Sequence, residues 1–130
     1  MSDQATSPAR LEPSPIYRGM VRGLLPYYLL FLLSQEPAYG TQLIELIGKA
    51  TGGSWHPSPG SVYPLLRRFE GQGHVKGEYR RGTAAAQRVY EITPGGRTAM
   101  AGIERDLMTD LAAARDLIDR HVRWFQSAQR

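Results

Sequence analysis

The chain has 130 residues, a length that fits one domain with a modest hydrophobic core. Sixteen Lys and Arg side chains outnumber twelve Asp and Glu side chains, which gives a formal net charge of +4, and there is no cysteine. The lack of cysteine excludes disulfides and thiolate metal sites. The longest apolar run covers residues 24–33, whereas a membrane-spanning helix needs about 17–25 residues. Since no apolar segment of the secretory type lies near the N-terminus, we expect a cytoplasmic protein without a membrane partner.

The excess positive charge is concentrated in residues 56–90. Two acidic side chains in this segment, Glu70 and Glu78, stand against six basic ones, which are Arg67, Arg68, Lys76, Arg80, Arg81 and Arg88. The segment therefore accounts for the whole net charge of +4. A localised basic surface is typical of a protein with a polyanionic partner. A solvated positive face with no partner is the alternative.

The first third of the chain predicts an arm and two helices. Residues 1–15 contain three prolines and no periodicity, so we expect a disordered arm. Apolar residues at near-helical spacing predict a short helix over 16–25, and Pro26 fits the first position of a second helix that ends near Ser34. Residues 27–33 are apolar on all sides. A helix with no polar face suggests that a second chain covers part of it.

Two further helices follow. One begins at Ala38, carries an apolar stripe that includes Leu43 and Ile47, and ends near Gly52. The next has Ser58 as its N-cap candidate and Pro59 at its first position. It places Leu65, Leu66 and Phe69 toward a core, with Arg67 and Arg68 beside them. Pro64 removes a backbone donor inside this helix, so the regular helix either begins near Ser61 or is kinked at Pro64.

The pattern changes to a period of two after Gly73. Val75, Gly77 and Tyr79 alternate along one predicted strand, and residues 89–92 form a second one. The link between them carries Arg80 and Arg81 at its base and small residues at its tip. We therefore predict a β-hairpin with a positively charged turn.

A long helix ends the chain, with Thr93 as its N-cap and Pro94 at its first position. Apolar residues recur along it every three or four positions, close to a heptad pattern. They are Ile103, Leu107, Leu111, Ala114, Ile118, Val122 and Phe125. A helix of about 30 residues is roughly 45 Å long, more than so small a domain can cover. A second copy of the chain would supply the missing surface; a helix folded back over its own domain is the alternative.

Hydroxyl and guanidinium groups on one helix and a hairpin suit contacts with DNA phosphates and base edges. The candidate DNA-binding residues are Ser58, Gly60, Ser61, Tyr63, Arg67, Arg68, Arg80, Arg81 and Arg88. Arg68 could instead face the domain.

Three segments resemble the PadR family of winged helix-turn-helix transcriptional regulators. They are Pro37–Gly40 with Leu43 and Ile44, Ser58–Glu70 followed by Gly73, and Arg88–Gly96. The resemblance covers about residues 26–98, and few other winged-helix families have the order Pro-Gly-(Ser/Thr)-x-Tyr-Pro-Leu-Leu. The family also tolerates proline at the position of Pro64. The chain departs from the family at the hairpin tip, where Ala84 to Ala86 replace glycine and proline, and in its longer N-terminal segment.

The resemblance implies a mainly α fold with a small β-hairpin (α+β), divided into a winged helix-turn-helix domain over 16–93 and a dimerisation helix over 94–130. Members are dimeric regulators, mostly repressors, which place the third helix in the major groove of a pseudo-palindromic operator and the hairpin near the minor groove. Dimerisation uses the last helix, helped by the first. The implied interface residues are Tyr28, Phe31, Leu32, Ile103, Leu107, Leu111, Ile118, Val122 and Phe125.

The resemblance is to the short subfamily, whose members often bind an aromatic or drug-like effector at the dimer centre. Tyr27, Met100 and Trp124 are the candidate effector residues, although such residues more often form only the dimer core. The rival function is a winged-helix protein–protein interaction module that does not bind DNA. His56, His74 and His121 lie on separate elements without an acid pair or a nucleophile motif. We therefore expect no enzyme, no catalytic residue, no cofactor and no metal site.

Overall fold

The computed structural model describes residues 14–81 and 86–129, and within them the chain forms four helices and three strands. The predicted arm falls largely in residues 1–13, and the hairpin tip in residues 82–85; both lie outside the described residues. The elements are α1 (Pro15–Gln35), β1 (Ala38–Tyr39), α2 (Gly40–Ala50), α3 (Pro59–Gly71), β2 (Val75–Arg81), β3 (Ala86–Ile92) and α4 (Pro94–Ala128). This is the α+β winged-helix architecture that the sequence predicts.

Helix α1 is one continuous helix, so the predicted boundary at Pro26 is wrong. Its N-cap is Ser14, whose hydroxyl accepts a hydrogen bond of 3.1 Å from the Tyr17 amide. Proline inside a helix costs about 3 kcal/mol or more through the lost hydrogen bond and ring contacts. Here buried leucines on both sides of Pro26, Leu25 and Leu29 among them, pack against the rest of the domain. Their burial holds the two halves of α1 in one helix, since each contributes about 1.5–3 kcal/mol.

The predicted hairpin is confirmed, and it belongs to a three-stranded antiparallel sheet in the order β1-β3-β2. The sequence did not predict β1. Its two residues pair with β3, Ala38 opposite Tyr90 and Tyr39 opposite Val89. The predicted start of the second helix at Ala38 is therefore wrong, and α2 begins at Gly40.

The core lies where α1, α2 and α3 meet the sheet. Its fully buried side chains are Leu29, Leu30, Leu33, Leu43, Ile47, Val62 and Leu66. Helix α3 begins at Pro59 and runs through Pro64, so its start is not delayed to Ser61. The helix that carries the basic residues is thus fixed from behind by apolar packing.

Helix α4 begins as predicted, because the Thr93 hydroxyl accepts a hydrogen bond of 3.0 Å from the Gly96 amide. Met100 and Ile103 pack against the core. From Met108 to Ala128 every side chain except that of Ala114 is exposed. The second half of α4 therefore does not fold back over the described part of its own domain. Among the described residues, no helix is both long and apolar enough to cross a membrane.

Candidate nucleic-acid interface

The exposed side of α3 is nearly flat along its centre. Gly60, Pro64, Arg67 and Gly71 follow one another at spacings of 4, 3 and 4 residues, and all are exposed. They lie opposite the buried face of the helix that contains Leu66. Since three of the four side chains are absent or compact, another molecule can approach the α3 backbone closely. Arg67 is the one long, charged side chain on this line.

The first turn of α3 is closed by two serines. The Ser58 hydroxyl accepts a hydrogen bond of 3.2 Å from the Ser61 amide and lies 3.1 Å from the Ser61 hydroxyl. Both side chains are exposed. Because the positive end of the helix dipole lies here, this turn suits an anionic group such as a phosphate.

Tyr63 is half-buried against the start of α2. A Cβ atom added to Gly40 would lie 2.5 Å from Cε1 and Cζ of Tyr63 and 2.6 Å from its hydroxyl oxygen. Only a glycine leaves room for the ring at this distance. Tyr63 therefore joins α3 to α2, and its hydroxyl lies at the N-terminal end of α2.

Arg67 and Arg68 lie in different grooves. Arg67 faces the β2–β3 hairpin, which we call the wing, and lines a groove there with Tyr63, Glu70, Tyr79, Arg88 and Tyr90. Arg68 lies in a groove between α3 and α1 and shares it with Arg22, Pro26 and Ser61. Both arginines are exposed. Arg68 thus points neither to the core nor to the wing.

Ion pairs separate the basic residues of 56–90 into two groups. Lys76 pairs with Glu78 at 3.4 Å, and Arg88 pairs with Glu70. These pairs use both acidic side chains of the segment. The remaining cations have no acidic partner within the described residues, and they are Arg67, Arg68, Arg80 and Arg81. The net charge of +4 of this segment is therefore carried by four arginines on α3 and the wing that have no acidic partner in the part of the chain that the structure describes.

The wing presents two different faces. Tyr79 lies opposite Arg88 and Gly77 opposite Tyr90, and these four residues share the face that packs against α3. Arg81 continues this face, whereas Arg80 lies on the other one. Arg80 and Arg81 are both exposed. The two wing cations therefore point to opposite sides of the hairpin.

Arg88 is held differently from the other candidate residues. Its guanidinium carbon lies 5.1 Å from the centre of the Tyr79 ring and 5.8 Å from that of Tyr90. Desolvation would lower the pKa of Arg88, but the hydrogen bond and charge of Glu70 outweigh it and raise that pKa. Burial raises the pKa of the neighbouring Tyr90 hydroxyl.

Five residues of this region that the geometry brings forward were not among the sequence-based candidates. They are Gly40, Glu70, Gly77, Tyr79 and Tyr90. Two of them had a signal in the sequence. Gly77 interrupts a strand, where a glycine often marks the close approach of another group. Glu70 is one of only two acidic residues in the basic segment.

The candidate dimer residues fall into two groups. On α4 the four candidate residues beyond Leu107 are exposed, with exposed fractions of 41% for Leu111, 41% for Ile118, 47% for Val122 and 55% for Phe125. By contrast, Leu32 and Ile103 pack against their own core, as does Tyr28, which also contacts Trp55 at 6.5 Å between ring centres. Phe31 is 41% exposed. Leu107 is half-buried.

The candidate effector residues do not converge within one chain. Tyr27 stacks on Phe31 at 5.8 Å and donates a 2.6 Å hydrogen bond to Glu104, which raises the pKa of the Tyr27 hydroxyl. Met100 packs against the core. Trp124 makes a tilted ring contact with Phe125, at 4.9 Å between ring centres, and lies twenty residues beyond Glu104 on the same helix, about 30 Å away. Only a second chain could bring such an indole close to Tyr27.

Comparisons with known proteins agree with this architecture. The model of the transcriptional regulator PadR-like family matches residues 29–102. The transcriptional regulator Rv3488 of Mycobacterium tuberculosis is 30% identical over 90 residues, which are 69% of this chain and 81% of that protein. A PadR family transcriptional regulator from Eggerthella lenta has a TM-score of 0.67 at 27% identity, over 79% of this chain and 92% of that one.

A PadR-like transcription factor from Bacteroides fragilis has the same fold, with a TM-score of 0.61 at 24% identity over 81% of this chain and 99% of that one. The matched region includes α2, α3, the wing and the start of α4. The family resemblance seen in the three sequence segments is thereby confirmed. The chain belongs to the PadR-like family of transcriptional regulators.

Proposed function

We propose that this regulator is a homodimeric repressor that binds a pseudo-palindromic operator in double-stranded DNA in the cytoplasm. The observation that carries the proposal is the set of four arginines without acidic partners, within the described residues, on α3 and the wing. Four such cations on two adjacent elements attract a polyanion. The small side chains on the outer face of α3 allow this helix to enter a DNA groove.

In this proposal α3 enters the major groove and is the recognition helix. Arg67 reaches a base edge or a central phosphate, because it stands alone on the outer line of α3. Ser58, Gly60 and Ser61 receive a phosphate at the first turn of the helix. The Tyr63 hydroxyl adds a contact where α2 begins.

Further phosphate contacts come from the flanks of the interface. Arg68 contacts the backbone on the α1 side of the recognition helix. Arg80 and Arg81 bind the backbone beside the wing, one from each face of the hairpin. Phosphate contacts of this kind position the protein without selecting a sequence.

The dimer in this proposal forms through the uncovered half of α4. Leu111, Ile118, Val122 and Phe125 are exposed at heptad positions along one side of that helix. Pairing with a second copy removes this apolar surface from water, which contributes about 1.5–3 kcal/mol for each large side chain fully buried. A two-fold dimer also matches a two-fold operator.

A small-molecule effector is the second part of the proposal. It would bind at the dimer centre between Tyr27 and Met100 of one protomer and the Trp124 region of its partner. The exposed indole, at 63%, and the half-buried Tyr27 ring supply apolar surface for an aromatic ligand. Such a ligand would act by changing the distance between the two recognition helices, since the operator fixes that distance.

Selection from a random-sequence duplex pool tests the proposed function. Repeated binding and amplification with the wild-type chain should enrich a pseudo-palindrome, confirmed by an electrophoretic mobility shift. The variant R67A/R80A/R81A serves as the control and should enrich nothing. If the wild type also enriches no sequence, the chain is better described as a protein–protein interaction module. A mobility shift with DNA from upstream of its own gene then asks whether the enriched site occurs there.

A further inference from the structure

We propose that Glu70 and Arg88 form a strut that fixes the wing to the recognition helix, so that Arg88 positions the two elements and does not itself contact DNA. This inference rests on the proposed function, because it names what aligns the two DNA-binding elements. It also reassigns Arg88, which the sequence placed among the DNA contacts.

The strut joins two elements that are separate in the chain. Glu70 lies in the last turn of α3 and Arg88 in β3, and 18 residues separate them. The Arg88 guanidinium donates to the Glu70 carboxylate, and the two side chains are only 29% and 30% exposed. A charge-assisted hydrogen bond in such a partly buried place restricts the relative movement of both elements.

The wing is shaped to receive the Arg88 side chain. A Cβ atom on Gly77 would lie 2.6 Å from Nε of Arg88 and 2.9 Å from Cζ and Nη2. The guanidinium therefore occupies space that any other residue at position 77 would fill. The ring faces of Tyr79 and Tyr90 lie within reach of a cation–π interaction with the same group. The space at Gly77 and the rings of Tyr79 and Tyr90 thus favour the same position for the Arg88 guanidinium.

The second ion pair of the wing lacks these features. Lys76 and Glu78 are neighbours on a single strand, and their side chains are 62% and 61% exposed. A pair of this kind is solvated, contributes little, and connects no two elements. It provides a matched control for the strut.

Charge alone and positioning predict different results for the ratio of specific to non-specific affinity when Glu70 is neutralised. Glu70→Gln removes a negative charge from a surface proposed to bind DNA, so electrostatics alone would tighten binding to every duplex. If Glu70 instead holds Arg88 and the wing in place, the operator should lose its advantage over other DNA. The ratio of specific to non-specific affinity separates the two accounts.

The test measures binding of the selected duplex and of a scrambled duplex of the same composition by fluorescence anisotropy. For E70Q we expect the affinity ratio to fall about tenfold, a coupling typical of residues in one network. For E78Q, which makes the same charge change, we expect a change below about twofold. A ratio for E70Q equal to or above that of the wild type would overturn the proposal. Thermal denaturation of each variant ensures that binding is measured on folded protein.

A second pair of variants leaves the charge unchanged. Gly77→Ala displaces the Arg88 guanidinium and should lower the affinity ratio as E70Q does. Gly19→Ala, at an exposed glycine of α1 with nothing within 4 Å of an added Cβ, should leave the ratio unchanged. Equal ratios for the two glycine variants would contradict the role of Gly77.

A measurement without DNA separates failure of the strut from failure of the proposed function. In NMR spectra of the free protein, the signal of the Arg88 Nη2–H group, which donates to Glu70, should be resolved and protected from solvent exchange. It should lose that protection in E70Q and keep it in E78Q. A freely exchanging Arg88 signal in the wild type rules out the strut whether or not the protein binds DNA. If the signal is protected but the protein selects no duplex, the contact between Glu70 and Arg88 is supported and only its proposed role in DNA binding is ruled out.

Discussion

Single glycines determine where two side chains of the candidate interface lie in this protein. Gly40 leaves room for the ring of Tyr63, and Gly77 leaves room for the guanidinium of Arg88. At both positions, a Cβ atom would overlap the side chain that now packs against the glycine. The positions of a tyrosine on α3 and an arginine beside it thus depend on residues that have no side chain.

The contact between Gly40 and Tyr63 predicts a coupled effect on stability. Gly40→Ala forces the Tyr63 ring to move, and overpacking of this kind costs about 1–3 kcal/mol. In the Tyr63→Ala background the same substitution should cost much less, because its obstacle is gone. A double-mutant cycle by urea denaturation measures the difference. Additive free energies of unfolding would show that the ring does not restrict position 40.

Arg67 and Arg68 should affect DNA binding in different ways. Arg67 stands on the outer line of α3, so Arg67→Ala should cost about 1–3 kcal/mol on the selected duplex and less on a scrambled one. Arg68 lies beside α1, so Arg68→Ala should weaken both duplexes to a similar extent. Anisotropy titrations with the two duplexes provide the comparison. The assignment of the two arginines is wrong if R68A, and not R67A, loses specificity.

At the scale of elements, the base of the wing is attached to α3, and two exposed cations lie toward the other end of the hairpin. Its base is fixed to α3 through Glu70 and Arg88, while Arg80 and Arg81 near its tip are free of acidic partners within the described residues. Held at its base, the hairpin carries Arg80 and Arg81 next to the proposed recognition helix. The wing and α3 therefore present their charges as one surface.

Removal of the two wing arginines should change the salt dependence of binding. In the variant R80A/R81A, the slope of log affinity against log salt should become shallower by roughly one unit for each phosphate that the protein no longer neutralises. Affinity should fall for all duplexes alike. Titrations between low and moderate salt measure the slope. A variant with the affinity and slope of the wild type would show that the wing does not touch the DNA backbone.

Local signals in the sequence predicted most of the elements, because caps and hydrophobic periods involve neighbouring residues. Ser58 and Thr93 are N-caps as expected, and β2 follows its alternating pattern. Features that depend on distant residues were missed. The strand β1 has two residues and exists only through pairing with β3, and α1 continues past Pro26 because the core packs against both of its halves.

In the candidate site, too, the sequence predicted the features that depend on neighbouring residues and missed one that depends on distant residues. Arg67, Arg80 and Arg81 are exposed and free of acidic partners within the described residues, as the basic segment suggested. The sequence could not assign the role of Arg88, because its partner Glu70 is remote in the chain and only tertiary packing brings them together. A count of charges gives the net value of a segment but not the pairing within it.

At the scale of the whole molecule, α4 leaves an apolar face without a covering surface among the described residues. The large side chains at the heptad positions of that face beyond Leu107 are at least 41% exposed, and they include Ile118 and Phe125. An isolated exposed leucine is common in soluble proteins, but a regular stripe of this length is typical of an interface. The proposed dimer places this stripe at its centre.

A charged residue in the stripe should therefore separate the protomers. We expect Ile118→Glu to sediment as a monomer at concentrations where the wild type is dimeric, since a carboxylate cannot be buried there without a partner. Ala113→Glu, on the opposite side of the same helix, should remain dimeric. Sedimentation velocity distinguishes the two states. Identical behaviour of both variants would place the interface elsewhere.

Footprinting of the selected duplex with hydroxyl radicals tests the central claim most directly, because it locates both recognition helices on one DNA molecule. A dimer with one recognition helix in each half-site should protect two tracts on the same face of the duplex, with centres about 10 base pairs apart or a multiple of that. The monomeric I118E variant should protect the same positions only at much higher concentration. A single protected tract at saturating wild-type protein would contradict the account.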